Sequence, residues 1–179
     1  MSFLEGIINP SVENLELRIE PSANADITIA AFTKLFPNVK NFTYEVKNEY
    51  DHGLDQIHNW KSLESINCMI SNINEFFNNI NLLEKLTTCI IYFRNKDDFM
   101  KPQLMNFVTC CPNIKYLSLN TPQLKVPEEI LFLIVKALKS LETLIWNKEI
   151  CSLSNYSANL YNRISSFQTL RICPNKKTI

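Results

Sequence analysis

Six cysteines and two histidines are the side chains of this sequence that could serve as nucleophiles, general bases or metal ligands. The cysteines stand at the following positions: Cys68, Cys89, Cys110, Cys111, Cys151 and Cys173. None of them forms a C-x-x-C pair, so the spacing typical of zinc ribbons and zinc fingers is absent. Free cysteine also packs as a small hydrophobic residue, and we expect most of these residues to be buried in that role.

The two histidines lie in a polar segment, Asp51–His58, which places carboxylates near the imidazoles of His52 and His58. This spacing matches no metal-binding or catalytic-triad signature, and it favours an exposed polar loop. The only glycines, Gly6 and Gly53, exclude a glycine-rich phosphate loop. We therefore expect no catalytic residue, no cofactor and no metal site. A hydrolase-like enzyme that uses the His52–His58 loop or a cysteine is the alternative from another class.

Charge and hydropathy narrow the range of partners. The chain has 179 residues, with 18 Lys plus Arg and 18 Asp plus Glu, so its formal net charge is zero. Nucleic-acid binding depends on a basic surface that neutralises phosphates, and no such excess exists here. There is also no basic n-region, no apolar run long enough to span a membrane and no large basic cluster. These features predict no nucleic-acid partner, no membrane association, and a cytoplasmic or nuclear protein with reduced cysteines.

An apolar pattern, L-x-x-L-x-L, recurs seven times between residues 12 and 172 and organises the whole chain. Its clearest copy lies in Cys111–Asn120, with Ile114, Leu117 and Leu119. The other copies are Val12, Leu15 and Leu17; Val39, Phe42 and Tyr44; Leu63, Ile66 and Cys68; Leu83 and Leu86; Leu141, Leu144 and Trp146; and Phe167, Leu170 and Ile172. Their middle residues are 27, 24, 20, 31, 27 and 26 residues apart. All but one step lies within the range of about 20–29 residues that leucine-rich repeats show.

The segments between the copies have apolar residues at helical spacing, which predicts a helix before most of the strands. These helices are expected in residues 26–36, 72–80, 102–110, 127–138 and 156–164. The polar stretch 45–60 is expected to be a loop, or a degenerate coil with Leu54 and Ile57 inward. The alternation predicts an α/β leucine-rich-repeat solenoid of about seven irregular strand–helix coils, with a parallel sheet on its concave face. An ordinary α/β domain with accidental periodicity is the alternative.

We expect one domain over residues 1–179, with an N-terminal cap at 1–11, repeats at 12–172 and a tail at 173–179. The apolar pairs Phe3-Leu4 and Ile7-Ile8 are suited to cover the first coil. The tail offers little to cover the last one, and solenoid ends need covering. We expect a partner or self-association at that end, or an incomplete coding sequence.

Three phrases resemble the repeats of F-box leucine-rich-repeat proteins. They are Cys111-Pro-Asn-Ile-Lys-Tyr-Leu-Ser-Leu, Phe36-Pro-Asn-Val-Lys-Asn-Phe and Leu138-Lys-Ser-Leu-Glu-Thr-Leu. The resemblance covers most of the chain and implies a substrate-recognition subunit of an SCF-type ubiquitin ligase. The F-box itself, an N-terminal helical module of the family, is missing from this sequence. The alternatives are a repeat-only relative, a divergent fragment or a stand-alone adaptor.

The strand face that points away from the core is the expected binding surface. Alternation along each strand sends the leucines of the pattern inward and their neighbours outward. The outward residues mix polar, aromatic and aliphatic side chains, which suits a protein partner of unknown identity. The predicted partner-binding residues are Glu16, Arg18, Thr43, Glu45, Asn67, Met69, Tyr116, Ser118, Thr143, Ile145, Asn147, Thr169 and Arg171. The sequence thus predicts a non-enzymatic interaction scaffold.

Overall fold

A computed structural model describes residues 8–19, 29–46, 54–70, 81–93, 101–120, 128–146 and 169–172. Seven β-strands lie in these ranges: β1 Asn14–Ile19, β2 Asn41–Val46, β3 Ser65–Ile70, β4 Thr88–Phe93, β5 Tyr116–Asn120, β6 Thr143–Trp146 and β7 Thr169–Ile172. The helices described are α1 Ile29–Leu35, α2 Lys101–Cys110, α3 Glu128–Ala137 and a 3-10 helix at Leu54–Asn59. The protein therefore has an α/β fold, as the sequence predicts.

The strands form one parallel sheet whose spatial order, β1 to β7, is the order of the chain. Each strand pairs only with the strands before and after it, and all six pairings are parallel. A parallel neighbour requires a connection that carries the chain back to the start of the next strand. The predicted parallel sheet is confirmed.

One face of this sheet carries the hydrophobic core. Residues that pair with one another across β1 to β6 form an inward row of Leu15, Phe42, Ile66, Cys89, Leu117 and Leu144. Its members from Phe42 to Leu144 are buried, and residues of α1, α2 and α3 belong to the same core. In β3, buried residues alternate with half-buried ones. The helices therefore lie on the inward face, where they remove the apolar side chains of the strands from water.

The predicted fourth copy of the pattern is wrong in its register. We assigned Leu83 and Leu86 to it, with Leu86 in the middle position. The pairing places Cys89 opposite Ile66 and Leu117, so the fourth copy is Leu86, Cys89 and Ile91. With this correction the middle residues of the seven copies are 27, 24, 23, 28, 27 and 26 residues apart. Every step now falls in the range of about 20–29 residues, so the outlying step came from the misassignment.

A hydrogen-bonding pattern repeats where the strands begin. In the part of the chain that the structure describes, five backbone carbonyls each accept two successive N–H groups from the start of the next strand, at 2.8–3.1 Å. These carbonyls belong to the residues just before β1 to β5: Glu13, Lys40, Glu64, Thr87 and Lys115. The two Pro-Asn motifs that lie in the described residues add a side-chain link. Asn38 Nδ2 donates to the Pro10 carbonyl at 3.0 Å, and Asn113 Nδ2 donates to the Glu84 carbonyl at 2.8 Å.

The helix predictions hold in their type and approximate position for α1, α2 and α3. The predicted helices at 72–80 and 156–164 lie outside the described residues, as do residues 1–7 of the predicted cap and the tail 173–179. In the described part of the polar stretch, Leu54 and Ile57 are 1 % and 0 % exposed, so they lie inward as the second alternative for this stretch predicts. Trp60 follows them: its ring lies 4.7 Å from that of Phe42, and its Nε1 donates to the Phe36 carbonyl at 2.8 Å.

Candidate binding face

The outward side chains of β1 to β6 lie in three rows, and together we call these rows the open face. The first row is Asn14, Asn41, Ser65, Thr88, Tyr116 and Thr143; the second is Glu16, Thr43, Asn67, Ile90, Ser118 and Ile145. The third row is Arg18, Glu45, Met69, Tyr92 and Asn120. In β7, Thr169 pairs with Thr143 and Arg171 pairs with Ile145. The pairing register thus places twelve of the predicted partner-binding residues in these rows or at the next position along them. The thirteenth, Asn147, lies outside the described residues.

Sequence reasoning missed the outward residues of β4, which stand at the middle of the sheet. Ile90 is half-buried, and Tyr92 is 40 % exposed. Both were missed because the fourth copy was placed three residues too early. The apolar run Cys89–Phe93 could have indicated them, because the end of this run follows the end of β3 by one repeat length. Asn120 was also missed as a member of this face.

One end of the open face is charged. At β1 and β2, Arg18 Nε lies 2.5 Å from Glu16 Oε1 and 3.9 Å from Glu45 Oε2. The hydrogen bond and negative charge of Glu16, together with the charge of Glu45, raise the pKa of Arg18 above its ordinary value. All three side chains are well exposed, so this ion pairing contributes little to stability. Its effect is to fix the position of charge on the surface, and we call these three residues the charged end.

The part of the open face that β3 to β6 form is uncharged. From β3 to β6 the outward residues are Ser65, Asn67, Met69, Thr88, Ile90, Tyr92, Tyr116, Ser118, Asn120, Thr143 and Ile145. We call this set the neutral centre. Most of its side chains are half-buried, but Ser118 and Asn120 are only 4 % and 9 % exposed. Asn120 Nδ2 donates to Ser118 Oγ at 3.3 Å, whereas Asn120 Oδ1 is buried without a donor among the described residues.

A row of alternating charges borders the open face just before the strands. Lys40 Nζ lies 2.7 Å from Glu13 Oε1, and Lys115 Nζ lies 3.9 Å from Glu142 Oε1. The hydrogen bond and charge of Glu13 raise the pKa of Lys40, and Glu64 on the other side adds a smaller effect in the same direction. Opposite charges therefore face each other on successive repeats, which favours the observed register over a slipped one.

The described cysteines are placed as the small buried hydrophobic residues that we predicted, with one partial exception. Cys68, Cys89 and Cys111 are each 0 % exposed, while Cys110 is half-buried. Burial raises the pKa of the Cys89 and Cys111 thiols well above the ordinary value, and the neighbouring thiols raise it further. A nucleophilic cysteine needs a thiolate, so these two are poorly suited to catalysis. Cys151 and Cys173 lie outside the described residues.

The exposed-loop prediction for Asp51–His58 is wrong for the part that the structure describes. Leu54–Asn59 is a 3-10 helix with two buried apolar residues, and His58 is half-buried on it. His58 Nε2 lies 3.3 Å from Asn81 Nδ2. His52 is outside the described residues. Within those residues, no group of three or more His, Cys, Asp or Glu side chains is placed to hold a metal ion.

Comparisons with protein-family models, with curated proteins and with solved structures found no match to this chain. A search of the described helices for a membrane span found none of sufficient length and apolar character.

Proposed function

We propose that this chain is a leucine-rich-repeat solenoid that acts as a protein–protein interaction scaffold in the cytoplasm or nucleus. The architectural part rests on three repeated features. The strands follow chain order in one parallel sheet, their equivalent residues recur every 23–28 residues, and the same carbonyl pattern joins successive strand starts. A stack in which each repeat contacts its neighbours is the simplest arrangement that produces all three.

The functional part rests on one observation, the composition and exposure of the open face. Its middle presents Met69, Ile90, Tyr92 and Ile145 from three strands, outside the core and without formal charge. Aromatic residues and methionine are enriched at protein interfaces, and charged residues are depleted from interface centres. A sheet also presents these side chains on a rigid backbone, so little conformational entropy is lost when a partner binds.

The proposed mechanism is presentation of a pre-organised surface and involves no reaction. Tyr92 is the best candidate for the residue that contributes most to affinity, because it is the most exposed aromatic residue described on the open face. Met69, Ile90 and Ile145 would surround it as apolar contacts. The charged end would orient the partner and influence its rate of association more than its affinity.

Affinity capture of the tagged full chain from its native lysate, followed by quantitative mass spectrometry, tests this proposal. Tyr92→Ala is the test variant and Phe132→Ala is the matched control, because Phe132 on α3 is an aromatic residue of similar exposure, 37 % against 40 %. We expect a stoichiometric partner that Tyr92→Ala loses and Phe132→Ala retains. Recovery of ubiquitin-ligase scaffold subunits would identify a substrate receptor.

The same partner bound equally by both variants would contradict an interface on the open face. If no partner is recovered from the wild-type chain either, the scaffold proposal is wrong in that cell type, and a screen for enzymatic activity becomes the appropriate next experiment.

A further inference from the structure

The described sheet ends at β1, and no described strand pairs with the outer edge of this strand. β1 is the first strand in the sheet order and pairs with β2 alone. The Glu13 carbonyl accepts from Asn41 N at 3.0 Å, so it points toward β2. Because successive residues of a strand point their main-chain polar groups to opposite edges, those of Glu16 and Arg18 point away from β2. An edge of this kind is a template for pairing with another strand.

The apolar side chains of β1 are also incompletely covered. Leu15 and Leu17 are half-buried, although they pack against the core. Their counterparts one repeat later, Phe42 and Tyr44, are each 1 % exposed, and a strand flanks them on both sides. The core side of β1 therefore has apolar surface left to bury, and a further strand beside it would bury that surface.

We propose that a second copy of this chain pairs with the outer edge of β1, antiparallel to it, across a two-fold axis at Leu17. In this register Glu16 lies opposite Arg18 of the second copy, and Arg18 lies opposite Glu16 of the second copy. Both pairs exchange main-chain hydrogen bonds, because the polar groups of these residues are the ones that point away from β2. Such a dimer is independent of the proposed function.

The charges of β1 distinguish this register from its neighbours. If the core sides of both copies face the same way, the register can shift only in steps that keep inward residues opposite inward residues. A two-fold axis at Glu16 places two glutamates directly opposite each other, and an axis at Arg18 places two arginines there, which is destabilising. An axis at Leu15 places Glu16 opposite Asn14 and leaves Arg18 without an opposite charge. Only the axis at Leu17 pairs opposite charges twice.

Arg18 is positioned for this contact within its own chain. Its Nε bonds to Glu16 Oε1 and lies 3.9 Å from Glu45 Oε2. A guanidinium has five N–H donors, so Arg18 can bind a further carboxylate from the second copy. The side chains of Arg18 and Glu16 are 70 % and 51 % exposed, so both can reach the second copy without a change in the core.

A dimer of this type is closed. Both β1 edges are used across the two-fold axis, so the contact cannot continue into a fibre. The axis of an antiparallel pair is perpendicular to the sheet, which places the two open faces on the same side and the two charged ends at the centre. Because each copy contributes one short strand, the interface is small, and we expect a Kd on the order of 10 µM.

Sedimentation velocity of the full chain, from about 1 to about 300 µM at an ionic strength of about 20 mM, measures this self-association. Two charge reversals test the register. Glu16→Arg gives β1 two positive charges, and Arg18→Glu gives it two negative charges. Each variant alone places like charges opposite each other, whereas an equimolar mixture restores opposite charges in both pairs. Lys115→Glu is the matched control, because it reverses an exposed charge just before β5, away from the edge.

We expect the wild-type chain to form dimers and no larger species. Each reversal alone should raise the Kd at least about tenfold, and the mixture should form dimers with a Kd within about threefold of the wild-type value. Lys115→Glu should change the Kd by less than about twofold. Recovery in the mixture also shows that both variants are folded. Arg18→Gln, which removes the charge without adding repulsion, should weaken the dimer by a smaller factor and replaces any reversal that unfolds the chain.

Three results would overturn the dimer. The first is a wild-type chain that stays monomeric over the whole concentration range. The second is a dimer that the two reversals leave unchanged, or that the mixture fails to restore, because the contact would then lie away from β1 or in another register. The third is a series of larger species that grows with concentration, since a two-fold contact closes at two copies.

Discussion

Two adjacent isoleucines in β4 allow the register of the sheet to be tested with one pair of substitutions. Ile91 pairs with Cys68 and Leu119 in the core and is 0 % exposed, whereas Ile90 pairs with Asn67 and Ser118 on the open face and is half-buried. Truncation of each to alanine removes the same atoms from the same strand. The two variants therefore share any loss of strand propensity, and they differ only in what surrounds the side chain.

The expected difference follows from burial. Truncating a fully buried isoleucine to alanine costs about 2–5 kcal/mol, because the transfer free energy is lost and a cavity remains. We expect about 3 kcal/mol for Ile91→Ala. Ile90→Ala removes a side chain that is only partly shielded from water, and we expect about 1 kcal/mol. A difference of about 2 kcal/mol is large against the total stability of about 5–15 kcal/mol typical of a domain.

Urea unfolding followed by far-UV circular dichroism and by tryptophan fluorescence measures this difference. With a slope of about 2 kcal/mol per molar urea, the midpoint of Ile91→Ala should fall by about 1.5 M and that of Ile90→Ala by about 0.5 M. Equal or reversed losses would refute the reasoning, because a register shifted by one residue exchanges the inward and outward faces of a strand.

Three further predictions concern the core, the links between repeats and the thiols. Trp60→Phe should lower the free energy of unfolding in urea by about 2 kcal/mol, because it removes a partly buried hydrogen bond and leaves a cavity in the core. A loss below about 0.5 kcal/mol, on the order of a surface change, would contradict this packing. Asn113→Ala should lower the free energy of unfolding by about 1 kcal/mol, because it removes the hydrogen bond from Asn113 Nδ2 to the Glu84 carbonyl. Asn113→Asp also lacks this donor and should lower the free energy of unfolding by a similar amount. In the folded chain an aromatic disulfide reagent should modify Cys110 before Cys89 or Cys111, and rapid modification of all three in the native protein would contradict their burial. Burial raises the pKa of the Cys89 and Cys111 thiols in the folded state. The stability that these two thiols contribute is therefore present at neutral pH and is lost above about pH 8.5, where the thiols of the unfolded chain begin to ionise. Cys111→Ala should reduce this loss of stability between about pH 8 and about pH 10.

The positions of most strands could be predicted from the sequence because their inward residues are large and regularly spaced. Leu117 and Leu119 of β5, for example, alternate with polar or small neighbours, and period two then identifies the inward face. Alternation fails in β4, where Cys89 to Phe93 are all apolar or aromatic. Periodicity alone cannot show which residues of such a run face the core. The repeat pattern was therefore matched to Leu83 and Leu86, which lie in the turn before β4.

The candidate site was only partly predictable for a different reason. Exposure on the open face depends on neighbours from other strands, so no local pattern indicates that Ser118 and Asn120 are buried while Tyr92 is exposed. The pairing register had to be known first. The separation into a charged end and a neutral centre likewise becomes visible only when outward residues 27 to 28 positions apart are placed side by side.

Site-specific photo-crosslinking tests the central claim, that the open face is the surface which binds another protein, most directly. A photoreactive phenylalanine analogue is placed at Tyr92 or at Phe132 in the full chain inside its native cells, and both sites are comparably exposed aromatic positions. We predict a discrete covalent adduct with one protein from position 92 and none from position 132. An adduct from position 132 alone, or no adduct from position 92, would contradict the claim.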